Sequence, residues 1–555
     1  MKRRVLFLML VFAGLSAPVY AGQNFIDQFL SRYKPSTLRT AGAAPLTQDR
    51  LPTLIRDGLI PLSIADLINL TLENNLDVRV YRLAPISSEY AIEGNYRPFE
   101  PTLLLGANVA RDTFRSRTQL TGVDSVSQLS HSYSVGFGQT LQTGADVAVD
   151  LTLNRTSSND AFNTFNPSWV GRMRYSFTQR ILNGFGRTVN TRGIRVAQNN
   201  KAISDVQFER TVIDLVTQAQ KNYWDLVFTS EDMKVKQESV DLAQRTLKEN
   251  ERQVEVGTLA RIDLIQARSQ VATRNEELIV SNYTQNQIQD QVKKVLSRQP
   301  DPGLVLAKIS PTQPAQLPDP GDVLPVTDAI RVALENRPEL RQASLQLRNS
   351  EIEIQYARNQ LLPTLDITAS FTQNGVGGKQ TIRDGFGPTA PVLLTIPGGL
   401  GDALGELFRS RSSGYSLGFT MQIPLSNRAQ QGEYARIAVE KRTAEENIKS
   451  IEQQIALEVR NAITAVEMNK ARIDAAQITR TLAEEQLQAE QRKFQLGAST
   501  VRFVLEEQRN LEQMKTNEIA ALVNYRKALV DYDRALGITL KKNNVSIENS
   551  VAALR

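Results

Sequence analysis

The chain has 555 residues, with 65 Lys plus Arg against 59 Asp plus Glu, a formal net charge of +6, one His and no Cys. The missing cysteines exclude disulfides, thiolate nucleophiles, iron–sulfur clusters and thiolate zinc sites, and the lone His131 excludes a multi-histidine metal centre, so no cofactor is expected. With 19 Phe, 14 Tyr, 2 Trp and a mean hydropathy of −0.30, the chain is short of the bulky residues that several globular cores of its length would need.

The N-terminus carries Lys2, Arg3 and Arg4, then an 11-residue apolar run over 5–15, then Val19-Tyr20-Ala21. This pattern reads as a signal peptide over 1–21, cleaved after Ala21; a membrane anchor would need about 18 apolar residues. Its removal lowers the formal charge by three, from +6 to +3, and no nucleic-acid partner is implied. No later stretch reaches the apolar length of a spanning helix, so contact with a membrane would have to be made by a β-barrel. Residues 22–60 form an N-terminal extension without a clear pattern.

The segment "LSIADLINLTLENNLDVRV" from Leu62 aligns with "LPVTDAIRVALENRPELRQ" from Leu324, pairing Asp66 with Asp328, Asn74 with Asn336 and Arg79 with Arg341 at a constant offset of 262. The offset persists to Pro101-Thr102-Leu103 and Pro363-Thr364-Leu365. Further on, "NERQVEVGTLARIDLIQARSQ" aligns with "EQRKFQLGASTVRFVLEEQRN" at an offset of 240, placing Gly257 over Gly497. The chain is therefore two tandem repeats, 61–300 and 323–537, joined by a Pro-rich linker over 301–322 that cannot be regular helix and followed by a polar tail over 538–555.

Each repeat opens with a short helix and continues into alternating segments that read as strands: 102–111, 131–141, 145–153 and 169–179 in the first, 364–372 and 415–423 in the second. In "WVGRMRYSF", Trp169, Gly171, Met173, Tyr175 and Phe177 share one face, while Arg172 and Arg174 lie on the other; one face suits lipid and the other water. The runs 131–141 and 145–153 form a hairpin that has no counterpart in the second repeat. A Gly-rich connection of about forty residues separates the second repeat's strands, and within it "GVGGKQT" from Gly375 reads as an external loop. A phosphate loop is rejected there because Gln380 occupies the position of the magnesium-binding Ser or Thr.

Between Gly193 and Gly257 there are 63 residues without Gly or Pro, and between Gly432 and Gly497 there are 64. Ile448, Ile451, Ile455, Val459, Ala462 and Val466 recur at steps of three and four, a coiled-coil seam. Each repeat thus contains a long helical hairpin with a Gly at its tip. Four to six strands per chain cannot enclose a water-filled bore, so several chains must contribute to one barrel.

The signal peptide, the doubled "LSIADLINLTLENN" and "VTDAIRVALENRPEL" openings, the repeated Pro-Thr-Leu, "QRILNGFGR" ahead of the first long helix and the two Gly-tipped hairpins together resemble the outer membrane efflux proteins of the TolC family over about residues 60–540. The resemblance implies an α+β membrane protein: a trimeric outer-membrane β-barrel continuous with a long periplasmic α-helical barrel, built from two tandem repeats. It implies a passive exit duct of a tripartite efflux or type I secretion system for small molecules or polypeptides, without catalysis. Implied partners are the homotrimer, a periplasmic membrane-fusion adaptor, an inner-membrane transporter of RND, ABC or MFS type, and outer-membrane lipid. By matching position the adaptor-docking tips would be Gly257, Thr258, Leu259, Gly497, Ala498 and Ser499, and the periplasmic gate Asp263, Phe503 and Glu506. Phe503 stands where the family often has an acid. Family members usually contribute two strands per half, twelve in the barrel, whereas the extra hairpin here allows eighteen. The contrasting expectation is a secreted trimeric coiled-coil fibre or adhesin, which would have no use for strands interleaved with the hairpins.

Overall fold

A computed structural model describes residues 31–33, 55, 58–117, 121–257, 259–297, 302–317, 321, 323–385 and 390–545. The signal segment, most of the 22–60 extension, Thr258 and residues 546–555 lie outside the described residues.

Both repeats run in the same order, and each splits its opening helix in two. In the first, α1 (Ile64–Asn74) is capped by Ser63, whose Oγ accepts from the Asp66 backbone N–H at 3.1 Å. The chain breaks at Asn75, whose side chain accepts from the N–H groups of Asp77 and Val78 and so starts α2 (Leu76–Gly94). In the second, α5 (Val326–Asn336) and α6 (Pro338–Gln360) break at Arg337, because the residue before a proline is pushed out of helical geometry while Pro338 itself suits a helix start. Asn75 and Arg337 are one repeat offset apart, so the break belongs to the duplicated unit.

Six long strands follow these openings: β2 (Thr102–Arg115), β3 (Ser125–Thr140), β4 (Ala145–Ser158) and β5 (Phe165–Arg180) in the first repeat, β7 (Thr364–Arg383) and β9 (Ser412–Gln422) in the second. They form one antiparallel meander in the order β2-β3-β4-β5-β7-β9, with the repeats joined at β5–β7. The connection between β7 and β9 is not all loop. It contains a short strand, β8 (Val392–Ile396), paired to the outer end of β7, and a helix, α7 (Leu400–Phe408).

"GVGGKQT" is likewise not a loop but part of β7. A Cβ at Gly375 would lie 2.1 Å from the Ala403 carbonyl oxygen, and one at Gly377 would lie 2.4 Å from that of Gly399. The glycines therefore clear a flat bed on the sheet, and α7 lies in it with Ala403 and Leu407 fully buried.

From the sheet, β5 leads through a short turn into α3 (Arg192–Glu255), 64 residues, which folds back as α4 (Arg261–Leu296), 36 residues. Likewise β9 leads into α8 (Arg428–Gln495), 68 residues, returning as α9 (Val501–Leu536), 36 residues. At 1.5 Å per residue, α3 and α8 are about 96 and 102 Å long. Within each hairpin the helices pack along one another, and α9 also packs on α3, joining the two hairpins side by side.

The main core lies at a waist where α1 meets the long helices. Leu67 and Leu70 of α1, Tyr223, Trp224, Leu226 and Val227 of α3, Val292 and Leu296 of α4 and Val523 and Val530 of α9 bury one another there. The linker joins this core: Lys308–Pro311 forms strand β6, parallel to β1 (Leu59–Leu62), so part of the Pro-rich stretch is strand and Pro302–Leu306 is a single helical turn. The Tyr223 hydroxyl accepts from the Gln313 N–H and that of Tyr532 from the Leu324 N–H, each at 3.0 Å, which pins the chain midway along the linker and again just after it.

Candidate functional site

The cross-strand ladder sorts the sheet's side chains into two faces of opposite chemistry. One face carries Leu105 and Val135, Tyr133 and Leu153, Val149 and Tyr175, and Phe371 and Tyr415 as directly opposed pairs. The Tyr175 and Phe371 rings lie 6.2 Å apart on it. The other face carries Ser130, Ser132, Ser134, Asp150, Arg172, Arg174 and Ser416, with Arg172 Nε donating to Asn374 Oδ1 at 3.3 Å and Arg180 3.6 Å from Asp146. Such a division is what a strand facing hydrocarbon on one side and water on the other requires. Trp169 and Met173 lie on the apolar face as the alternation predicts, whereas Trp224 is a core residue set edge-on to Tyr223 at 5.6 Å.

At the opposite end, each hairpin turns within five residues, between Glu255 and Arg261 and between Gln495 and Val501. Gly257 and Gly497 have φ of +78° and +76°, the left-handed geometry that ends a helix with least strain on Gly. The Ala498 N–H reaches back to the Lys493 carbonyl at 2.9 Å, completing the cap. Both glycines therefore close their helices and also mark the tips. Leu259 and Ser499 are half-buried and Ala498 is exposed, while Thr258 lies outside the described residues. The Ser499 hydroxyl donates to Glu490, which also holds Lys493 at 3.0 Å; the serine bond first and the lysine second keep the Glu490 carboxyl below its ordinary range.

Asp263 occupies the first turn of α4, and Phe503 the same turn of α9, with Glu506 one turn further and exposed. Asp263 and the other two are on separate hairpins of one chain.

A charged cluster between the hairpins escaped the sequence reading. Arg274 of α4 contacts Glu512 of α9 at 2.5 Å and Glu277 at 2.7 Å, and Lys236 of α3 binds Glu512 as well. Ser239 donates to Glu512 at 2.7 Å. Burial pushes Lys236 down, but the hydrogen bond and charge of Glu512 outweigh it, so its ammonium titrates above the ordinary value; Glu277 is raised by burial yet held lower still by Arg274. The spacing of Arg274 and Glu277 is legible as a helical pair, but their meeting with Glu512 depends on the register between hairpins.

The outer membrane efflux protein family model matches residues 146–298 and 329–538, more than half of the chain. The chain belongs to that family. The outer membrane efflux proteins are outer-membrane channels that extend into the periplasm, and the sheet and the long hairpins correspond to those two parts. Among solved structures, the CmeC outer membrane channel of Campylobacter jejuni is 15% identical, with 89% of this chain and 90% of that one covered at a TM-score of 0.59. The open state of the Neisseria gonorrhoeae MtrE outer membrane channel is 17% identical, covering 85% and 88% at 0.57. The outer membrane protein VceC of Vibrio cholerae is 14% identical, covering 85% and 96% at 0.59. At these identities the likeness is one of fold. No curated protein matches the chain by sequence. The strands β2 and β3 precede the first residue that the efflux family model matches.

Proposed function

We propose that three copies of this chain form the exit duct of a tripartite efflux or type I secretion system. The duct would carry small molecules or polypeptides passively from the periplasm to the exterior. The observation that supports this most is continuity: the two-faced sheet runs directly into both long hairpins of the same chain, β5 into α3 and β9 into α8. A fibre needs the helices alone; a duct needs both. A periplasmic membrane-fusion adaptor docks on the tips at Gly257, Thr258, Leu259, Gly497, Ala498 and Ser499, and an inner-membrane transporter of RND, ABC or MFS type supplies energy and selects cargo. Washed membranes are the test. A trimer that only detergent releases, and that heat dissociates, supports the duct; a soluble product overturns it in favour of the fibre.

In this reading Asp263, Phe503 and Glu506 form the periplasmic gate. Carboxylates repeated by the trimer at a constriction favour cations and repel anions, and the Phe503 ring excludes water from the narrowest point. Single-channel recording of Glu506→Gln checks the assignment: a weaker cation preference is expected, and an unchanged one removes Glu506 from the gate.

A further inference from the structure

Each end of the six-strand meander is an edge. The only ladder partner of β2 is β3, and that of β9 is β7, among the described residues. Apolar side chains on β9 are far more exposed than those facing the same way on inner strands: Tyr415 88% and Phe419 77%, against Tyr175 38% and Phe371 40%. A neighbour missing from one flank accounts for that difference. A long bare edge with an apolar face is also a template for pairing with another chain.

We infer that β9 of one copy pairs with β2 of the next, so that three copies close a single barrel of eighteen strands, six from each. The inference rests on the trimeric duct proposed above. It is carried by strand direction, register and tilt. Thr102 begins β2 at the end of the sheet nearest the helices and Gln422 ends β9 at that same end, so the two edges run in opposite senses and meet as an antiparallel pair.

The register can be followed across the whole sheet. Thr102 stands opposite Gly138, Gly138 opposite Ala148, Ala148 opposite Ser176, Ser176 opposite Ser370 and Ser370 opposite Ser416. Crossing the chain along one ladder line therefore climbs six residues, from the bottom of β2 to a point six residues above Gln422. Side chains of one face must meet their own kind at the seam, so Gln422 stands opposite an even-numbered position of β2, and of these Thr102 and Leu104 are the two that suit the tilt of a closed barrel. Either choice sets Met421, Phe419 and Leu417 beside Leu103, Leu105, Ala107 or Val109 and carries the apolar band across the seam without interruption.

These two registers stagger each copy by about six or eight residues. With strands about 4.8 Å apart and a rise of about 3.3 Å per residue, the corresponding tilts are about 35° and 43°, inside the range of closed membrane barrels. The backbone diameter is then about 34 to 38 Å, against about 24 Å for twelve strands at a similar tilt. The β2–β3 hairpin, which lies ahead of the residues matched by the family model, presents Ser130, Ser132, Ser134, Gly136 and Gly138 to the bore side, and such small side chains take little of that width. The ladder from β3 to β4 runs unbroken from Gln128 to Thr140, so the hairpin is continuous with the rest of the sheet. The exit is thus wider than twelve strands could make it.

The absence of native cysteine makes the seam directly testable in the full-length protein. Ser416→Cys combined with Asn108→Cys, or with Ala110→Cys for the alternative register, is oxidised in isolated outer membranes. One of the two combinations is expected to yield covalently linked trimers on denaturing gels. If the β2–β3 hairpin stood outside the ring, β4 would meet the neighbouring β9 instead, and Ser416→Cys would link to Thr152→Cys or Asn154→Cys. That result, or a detergent-extracted trimer without the β2–β9 link, overturns the eighteen-strand barrel while leaving the duct standing. A soluble product overturns the duct itself.

Discussion

Arg274 on α4 and Glu512 on α9 face each other at 2.5 Å with both side chains 5% exposed, so the first hairpin is tied to the second by charges held out of water. Breaking one side of such a pair costs more than the pair contributes, because the remaining charge stays buried. Glu512→Gln leaves the Arg274 and Lys236 cations to share the single carboxylate of Glu277 and is expected to destabilise the hairpin contact by about 3 kcal/mol. Thermal loss of helical circular dichroism in detergent measures it. The further change Arg274→Met should recover much of the loss, and an unshifted melting curve in Glu512→Gln would show that the cluster carries no stability.

The same cluster sets a pH window. Glu277 titrates below its ordinary value of 4.5, so its contribution is complete above that pH and is lost as pH falls through the lowered folded value. Lys236 titrates above its ordinary 10.5, so its contribution is complete below that pH and is lost as pH rises through the raised folded value. Stability from the pair is therefore flat across neutral pH and declines at both extremes. Glu277→Gln should remove most of the acid-side decline contributed by this site, as melting temperatures between pH 3 and 6 would reveal.

The bed beneath α7 leaves no room for a side chain. Gly375→Val would drive a Cβ into the Ala403 carbonyl oxygen and should lift α7 from the sheet, exposing residues 397–411 to protease while trimers persist. Leu407→Ala removes a fully buried side chain and is expected to cost about 2–4 kcal/mol at that contact. Equal cleavage rates in the parent and both variants would contradict the packing.

Trp169 and Trp224 should report opposite environments. In vesicles of brominated lipid, Trp169 on the apolar face is expected to be quenched and Trp224 at the waist protected. The variants Trp169→Phe and Trp224→Phe separate the signals, and an unquenched Trp169 would overturn the assignment of faces.

Much of the fold was legible because its signals are local or repeated. Alternation in "WVGRMRYSF" gives β5 its two faces, and the stretches free of Gly and Pro give α3 to within two residues and α8 to within five. The 262-residue offset gives the duplicated openings, although the break at Asn75 needed the cap to be seen in place. What escaped depends on distant partners. The glycines at 375 and 377 look like loop residues until α7 is placed over them, and the four-residue strands β1 and β6 acquire meaning only by pairing across the chain. Glu512 resembles any solvated helix charge until the second hairpin brings it to Arg274. The tips follow from two matched glycines, but no pattern in one chain says which way Asp263 or Glu506 faces.

The long stretches of α3 beyond Gly193 and of α8 beyond Gly432, free of Gly and Pro, turn each of them into a ruler. A helix cannot stretch without giving up hydrogen bonds, so the height of each tip above the sheet is written in residues, in steps of about 1.5 Å. Loss of a single residue would lower a tip by one such step and rotate everything beyond it by about 100°. Under the docking proposed above, a partner would meet each tip at a fixed height and bearing, and any variation in the gap to be bridged would have to be taken up on the partner's side.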